Sequence, residues 1–207
     1  MSDYYVLASP GEGEYTDRKS RFIGHAMPIS GEAEAAVLID QIKRKYWDAR
    51  HNCYAFVTGE NGEISRSSDD GEPSGTAGRP ILDCITGAGL HGTLIVVTRY
   101  FGGTLLGTGG LVRAYTRAAQ EALDHADIRH MQPGSRIEVT ADYNSAEKIR
   151  RSLDTDGVRI EDTSYTDSVM MTVIVSEGIM DRVLDIVTQA SLGKAQVRIL
   201  DTGYYVL

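Results

Sequence analysis

Five glycines follow an apolar run in the most unusual stretch of the sequence, residues 94–115. The run at 94–97 predicts a buried strand, the glycines predict a tight turn, and apolar residues at helical spacing predict a helix that Thr108 can cap. Because the first amides of a helix have no partner within it, this turn suits an anion. The residues predicted to bind an anion or a nucleic acid are Arg99, Gly102, Gly103, Gly109, Gly110, Arg113 and Arg117.

A tight connection between strand and helix explains the same glycines without any ligand. The stretch contains neither GKS or GKT nor a clean GxGxxG, so neither a P-loop ATPase nor a dinucleotide enzyme is predicted. Valine at Gly103 or Gly109 is expected to destabilise the domain if either residue has positive φ.

The three arginines of this stretch differ in their expected roles. Arg113 lies nearest the helix start, and Arg99 would close the site from the strand side. Arg117 is expected to pair with Glu121, four residues further along the helix. Charge reversal at Arg99 or Arg113 is therefore expected to abolish ligand binding, to exceed the effect at Arg117 and to leave melting nearly unchanged. The alternative is a structural role, in which these arginines are tied to Asp69, Asp70 or Glu72 in a buried network and their reversal causes a large loss of stability.

A second unusual stretch, residues 67–80, crowds Asp69, Asp70 and Glu72 among three glycines and two prolines. Carboxylates this close could hold a metal ion or act as acid and base, because their mutual repulsion separates their pKa values. Ordinary turn chemistry explains them as well, since aspartate bonds its own backbone in turns. The turn interpretation is preferred.

Cys53 follows His51 by two residues on a predicted strand, which raises the question of a nucleophile and its base. Side chains two residues apart on a strand project in parallel about 7 Å apart, too far for a direct hydrogen bond. Cys53 is therefore predicted to be a small core residue, and no catalytic residue is assigned.

The composition limits the function classes. The 21 lysines and arginines and 29 aspartates and glutamates of these 207 residues give a net charge of -8, so any nucleic-acid contact must be a local patch. Two cysteines and five scattered histidines show no zinc-ligand spacing, and no metal site or cofactor is implied. Without a signal peptide or a membrane-length apolar run, the cytoplasm is the predicted location and no membrane contact is expected.

The chain is predicted to form two α+β domains, residues 1–131 and 132–207, divided at Gln132-Pro133-Gly134 after a helix ending near His130. In the second domain, the pattern of periodicity predicts the order strand, helix, strand, strand, helix, strand, which is that of a ferredoxin-like domain. Near the N-terminus, residues 9–14 are predicted to be a turn between strands at 4–8 and 22–29.

Three segments together resemble the YigZ/IMPACT family: residues 51–55 (HNCYA), residues 69–78 (DDGEPSGTAG), and residues 98–103 (TRYFGG) continuing to 106–111 (LGTGGL). His51, Cys53 and Tyr100 are the motif residues outside the two loops. The resemblance implies a first domain similar to domain 2 of ribosomal protein S5. It also implies a pair of domains similar to the fourth and fifth of elongation factor G.

The resemblance also carries a functional expectation. Eukaryotic relatives regulate translation under amino-acid starvation by competing with a kinase for its activator on the ribosome. We therefore expect a non-enzymatic, cytoplasmic, translation-associated regulator that binds RNA or a ribosome-associated partner through the glycine-rich surface. The alternative is an enzyme that binds a phosphorylated small molecule or nucleotide, with a divalent ion at Asp69, Asp70 and Glu72.

Overall fold

The computed structural model describes residues 3–59 and 61–207 of the chain. Contacts divide them into two compact units, one of Tyr4–Arg129 and the other of His130–Leu207 together with Asp3. No helix in the described part of the chain combines the length and the apolarity needed to cross a membrane.

An antiparallel five-stranded sheet with the order β2-β3-β6-β4-β5 forms the centre of the first unit. A further strand, β1, exchanges backbone hydrogen bonds with residues 89 and 91, just before β6. The strands are β1 (Tyr4–Ser9), β2 (Gly11–Asp17), β3 (Ser20–Pro28), β4 (His51–Thr58), β5 (Ile64–Ser68) and β6 (Thr93–Tyr100).

Helices cover both faces of this sheet. Helix α1 (Glu32–Lys45) packs on one face, and α2 (Gly78–Gly87) and α3 (Gly107–Asp124) pack on the other. Alternate residues of the predicted central strand therefore enter two different cores, since successive side chains of a strand point to opposite faces. Leu94 and Val96 contact the α1 side, and Ile95 and Val97 contact the side of α2 and α3. This arrangement confirms the buried strand and explains its unbroken apolar run.

The predicted turn at residues 9–14 is wrong, because Gly11 and Gly13 lie within β2. A Cβ atom at either glycine would overlap the backbone of α3 around Glu121 and Ala122. These glycines therefore serve the close approach of a helix to a sheet, a use that local sequence does not distinguish from a turn.

The second unit has the predicted element order. Its antiparallel sheet has the strand order β10-β7-β9-β8, and two helices connect its strands. A 3₁₀ turn, Glu177–Ile179, precedes the second helix. The elements are β7 (Asp127–Ala141), α4 (Tyr143–Ser152), β8 (Val158–Tyr165), β9 (Val169–Ser176), α5 (Met180–Ser191) and β10 (Gln196–Val206).

The predicted linker at residues 132–134 lies inside β7 instead of between elements. The helix expected to end near His130 ends at Asp124. Pro133 and Gly134 continue the strand, since they pair with Tyr204 and Gly203 of β10. A proline followed by a glycine in the sequence predicts a loop between two elements, but here a long strand accommodates both residues.

Candidate functional site

A cavity of about 440 Å³ opens in the first unit where β6, the acidic loop (residues 69–78) and the start of α3 meet. Three of the predicted site residues line it: His51, Glu72 and Arg99. A larger cavity, about 610 Å³, lies against α2 and α3, but none of the predicted site residues lines it. The smaller cavity is therefore the candidate site. Its other lining residues include Arg50, Phe101, Leu105, Gly107 and Thr108.

A buried ion pair forms the wall of the cavity. The Arg99 guanidinium donates to Oε1 of Glu72 at 2.6 Å, and the two residues are only 6% and 9% exposed. The hydroxyl of Tyr115, on α3, donates to the same oxygen at 2.8 Å. Burial, followed by the nearby Cys53 and Glu72, raises the pKa of Tyr115 far above its usual range, so this hydroxyl stays a donor.

The predicted role of Arg99 needs a correction. Its guanidinium is already committed to Glu72 and lies near Ser20 Oγ at 3.5 Å. Reversing its charge would place two carboxylates together in a buried site, so the expectation of unchanged melting is wrong for this residue. Burial of both partners, which lie 27 residues apart, is a tertiary feature that local spacing does not reveal.

Cys53 lies in the core, as predicted. Its Sγ is 2.9 Å from the backbone oxygen of Asp69 and 3.3 Å from the Tyr115 hydroxyl. Burial raises the pKa of the Cys53 thiol to about 12. Because the thiolate is the reactive form, this residue is unsuited to act as a nucleophile near neutral pH.

Hydrogen bonds to the carboxylate of Asp69 hold the acidic loop in its conformation. Asp69 accepts backbone hydrogen bonds from Gly75, Ala77 and Gly78 at 2.8–3.0 Å. Burial acts to raise the pKa of Asp69, but these three amides outweigh it and hold the pKa below its usual range. The bonds tie residues 69–78 into a compact turn that ends where α2 begins.

Asp70 fixes the loop to the neighbouring strand and helix. Its carboxylate accepts from the backbone N–H of Asn52 at 2.7 Å and pairs with Lys43 at 2.9 Å. The three loop carboxylates thus have three different sets of partners, and no group of metal-ligating side chains is present among the described residues. The geometry favours the turn interpretation of the acidic loop over a shared metal ion.

His51 and Tyr100 have different surroundings. His51 Nδ1 lies 2.9 Å from the backbone oxygen of Asp70. Because a carbonyl only accepts, Nδ1 carries the proton, which leaves Nε2 as the acceptor in the neutral ring. Tyr100 donates to Asp48 at 2.7 Å and does not line the cavity.

The glycine-rich turn is shaped by three residues. A Cβ at Gly102 would overlap the backbone of Lys19, and Gly103 and Gly107 have φ values of +84° and +71°. Gly109 does not share this conformation, since it lies in the first turn of α3. The predicted penalty for valine therefore applies to Gly103, and its positive-φ basis is absent at Gly109.

No described side chain caps the N-terminus of α3. The helix begins at Gly107 with Leu106 as its N-cap residue, so the predicted capping role of Thr108 is wrong. Thr108 lies within the first turn and lines the cavity. The first amides of α3 consequently remain available to another acceptor.

Arg113 and Arg117 both reach solvent on α3, as predicted. Arg117 pairs with Glu121 at 3.0 Å, which confirms the expected helical pair. Arg113 has no ion pair with a described residue, and its guanidinium lies over Gly109, 3.6 Å from the position of an added Cβ. Of the two, Arg113 is the one placed at the helix start.

Sequence reasoning missed Arg18, Arg50 and Phe101. Arg18 lies in the turn between β2 and β3 and points a guanidinium nitrogen at the Leu105 carbonyl, 3.5 Å away. Arg50 and Phe101 line the cavity. The sequence did carry signals for them, since Arg50 directly adjoins the first motif segment, Phe101 lies within the third, and Arg18 stands in a cluster with Lys19 and Arg21.

Two family models match the chain: the Impact N-terminal domain over residues 18–123, and a domain of unknown function, DUF1949, over residues 139–194. The chain is 37% identical to the IMPACT family member YvyE of Bacillus subtilis, over 96% of this chain and 91% of the relative. It is 33% identical to the IMPACT family member YigZ of Escherichia coli, over 84% and 86%. A crystal structure of a hypothetical protein, 30% identical, aligns with a TM-score of 0.61 over 97% of this chain and 98% of the other.

Proposed function

The chain belongs to the IMPACT family, and we propose that it is a cytoplasmic regulator of translation that binds RNA around the cavity of its first unit. The observation that carries the proposal is the distribution of cations without ion-pair partners. Among residues 4–59 and 61–129, four lysines or arginines make no ion pair with a described residue. They are Arg18, Lys19, Arg50 and Arg113.

These four cations belong to segments that frame the cavity. Arg50 lines it, Arg18 reaches the Leu105 carbonyl, and Arg113 lies over the start of α3. Lys19 stands where its backbone closely approaches Gly102. A patch of this kind supplies the local attraction for phosphate that a chain with a net charge of -8 lacks as a whole.

The turn between β2 and β3 supports a functional role for two of the cations. Arg18 and Lys19 have φ values of +45° and +67°, a conformation that favours glycine or asparagine. Side chains held in this region cost stability and are concentrated at functional sites. An anionic partner would give the two cations at these strained positions a role.

The uncapped helix and an exposed aromatic ring supply the remaining contacts. The first amides of α3 would receive a phosphate group, and Phe101 is 51% exposed beside them. A basic groove combined with an aromatic platform is the arrangement by which proteins bind single-stranded nucleic acid. RNA is therefore preferred here over a ribosome-associated protein as the partner.

The topologies of the two units accord with the fold part of the proposal. We assign the first unit to the folds that resemble domain 2 of ribosomal protein S5, and the second to the ferredoxin-like folds that resemble the fifth domain of elongation factor G. The second assignment is supported by the sheet order β10-β7-β9-β8 and by the two helices, since α4 connects β7 to β8 and α5 connects β9 to β10. Both of these folds occur in proteins of the translation machinery.

Charge reversal at Arg113 tests the proposal. We expect Arg113→Glu to weaken binding of a fluorescein-labelled single-stranded RNA of about 12 nucleotides by about tenfold, because a charge-assisted contact is replaced by repulsion. The salt dependence of log K should fall by about 0.7 for the lost phosphate contact. Fluorescence anisotropy with the full chain at several salt concentrations measures both quantities.

Arg44→Glu is the matched control, since Arg44 lies on α1 at the opposite face of the sheet and undergoes the same charge change. It should leave RNA affinity within about twofold of the original chain. An original chain with no affinity for RNA even at low salt would contradict the proposal, and equal losses in both variants would remove α3 from the binding surface.

A second candidate, binding of a phosphorylated small molecule, is favoured by the size of the cavity. Its volume of about 440 Å³ is within the usual range of ligand pockets, about 300–1,000 Å³. A thermal-shift screen of nucleotides would reveal such a ligand as stabilisation of the first unit. Each of the three carboxylates of the acidic loop already has partners within the protein, so the loop gives no support to a divalent ion as part of this site.

A further inference from the structure

We propose that the cavity holds one unstacked base of the bound RNA, with Phe101 against the face of the base and the free carboxylate oxygen of Glu72 accepting an N–H from its edge. This inference rests on RNA binding as the function of the first unit. It adds that the recognised feature is a base as well as the phosphate backbone.

Glu72 supplies the first argument. Its side chain is 4% exposed, and both of its hydrogen bonds, from Arg99 and Tyr115, end on Oε1. No described residue donates to Oε2, and this oxygen is not among the described buried polar atoms that lack a partner, so it is accessible from the cavity that the residue lines. A carboxylate oxygen that faces the cavity can accept an N–H group from a ligand, and such a charge-assisted hydrogen bond is stronger than one between neutral groups.

Arg99 supplies an independent sign that this wall is incomplete. Its Nε is buried and has no hydrogen-bond partner among the described residues. The wall thus has a buried donor without a described partner, Nε of Arg99, and an accessible acceptor, Oε2 of Glu72, beside the same cavity. A buried donor without a partner is rare in folded proteins and calls for an explanation, which a bound polar ligand provides.

The apolar side of the cavity suits the face of a base. Phe101 is 51% exposed and Leu105 is 82% exposed, both on the loop that leads to α3. The Arg99 guanidinium lies 5.6 Å from the centre of the Phe101 ring, which places the exposed ring near the polar wall. A base that contacts Phe101 would then lie beside the wall that Arg99 and Glu72 form.

The start of α3 places the phosphate of the same nucleotide. Gly107 and Thr108 line the cavity and open the helix, so a base inside the cavity has its backbone next to the free amides. A Cβ at Gly103 or Gly107 would meet no described atom within 4 Å, which leaves space above this backbone. A nucleotide can therefore contact the polar wall and the helix amides together.

An RNA without bases distinguishes this inference from phosphate binding alone. We would measure binding of the full chain to a labelled RNA of about 12 nucleotides and to the abasic ribose-phosphate backbone of equal length. The intact RNA should bind at least about tenfold more tightly than the abasic backbone. Phe101→Ala should remove most of this difference and leave binding of the abasic backbone unchanged.

Trp47→Ala is the control for loss of an exposed aromatic ring, since Trp47 is 83% exposed and does not line the cavity. It should leave the affinity for both probes unchanged. Equal binding of both probes, or a Phe101→Ala variant that still prefers intact RNA by the original factor, overturns the base pocket while RNA binding stands. An absence of binding to either probe overturns the proposed function together with this inference.

Discussion

Replacing Glu72 by alanine is expected to lower the free energy of unfolding of the first unit by about 3–5 kcal/mol. The change leaves the Arg99 guanidinium charged, 6% exposed and without its 2.6 Å partner. It also leaves the Tyr115 hydroxyl without its acceptor. An unpaired charge in a buried site costs far more than the pair itself contributes. Urea denaturation of the full chain, followed by circular dichroism, gives the change in unfolding free energy.

Glu121→Ala is the matched control, because Glu121 pairs with Arg117 on the surface of α3. Its expected cost is below about 1 kcal/mol, since solvent screens that pair. The double replacement Glu72→Leu with Arg99→Met should recover part of the stability lost in the single variant. A Glu72→Ala variant as stable as the Glu121→Ala variant would show that the ion pair does not organise the wall of the cavity.

Replacing Gly24 by alanine is expected to cost about 1–3 kcal/mol, because an added methyl group would overfill a close helix contact. Gly24 lies on β3, and a Cβ there would overlap the backbone oxygen of Ala118 on α3. The helix would have to move away from the sheet, and its start borders the cavity. Thermal melting of the full chain gives the loss of stability as a lowered Tm.

Gly87→Ala is the control for this prediction. An added Cβ at Gly87, the last residue of α2, would meet no described atom within 4 Å. Alanine also has a higher helix propensity than glycine, so this variant should melt at the same temperature as the original chain or at a slightly higher one. Equal melting of the Gly24 and Gly87 variants would mean that the helix adjusts to the sheet without cost.

Residues whose environment is set by periodicity could be predicted from the sequence. The apolar run before the glycines became β6, the order of elements after His130 was as predicted, and Arg117 pairs with Glu121. In these cases neighbouring positions decide the outcome, because strand alternation and helical spacing are local properties.

Other features depended on contacts between distant parts of the chain. Gly11 and Gly13 looked like turn residues, but the approach of α3 to β2 accounts for them. Arg99 looked available for a ligand, but Glu72, 27 residues away, binds it in a buried site. Neither relation can be obtained from spacing, since each depends on how the sheet brings separate segments together.

The four cations without a described ion-pair partner show that composition, like spacing, does not reveal how residues pair in the fold. A net charge of -8 argues against binding a polyanion when the chain is treated as one charge. The structure places acidic partners beside most arginines and lysines of the first unit, and Arg18, Lys19, Arg50 and Arg113 have no such partner among the described residues. The sign of a binding surface therefore follows from pairing in the fold and not from the total charge.

The most direct test of the central claim is an NMR titration of the ¹⁵N-labelled full chain with a short single-stranded RNA. We expect the largest amide shifts in residues 101–110, which include the turn and the start of α3, with smaller shifts around Arg18 and Arg50. Amides of α1, on the other face of the sheet, should not move. Shifts confined to the second unit or to the cavity beside α2 and α3, or no shifts at all, would contradict an RNA site at the start of α3.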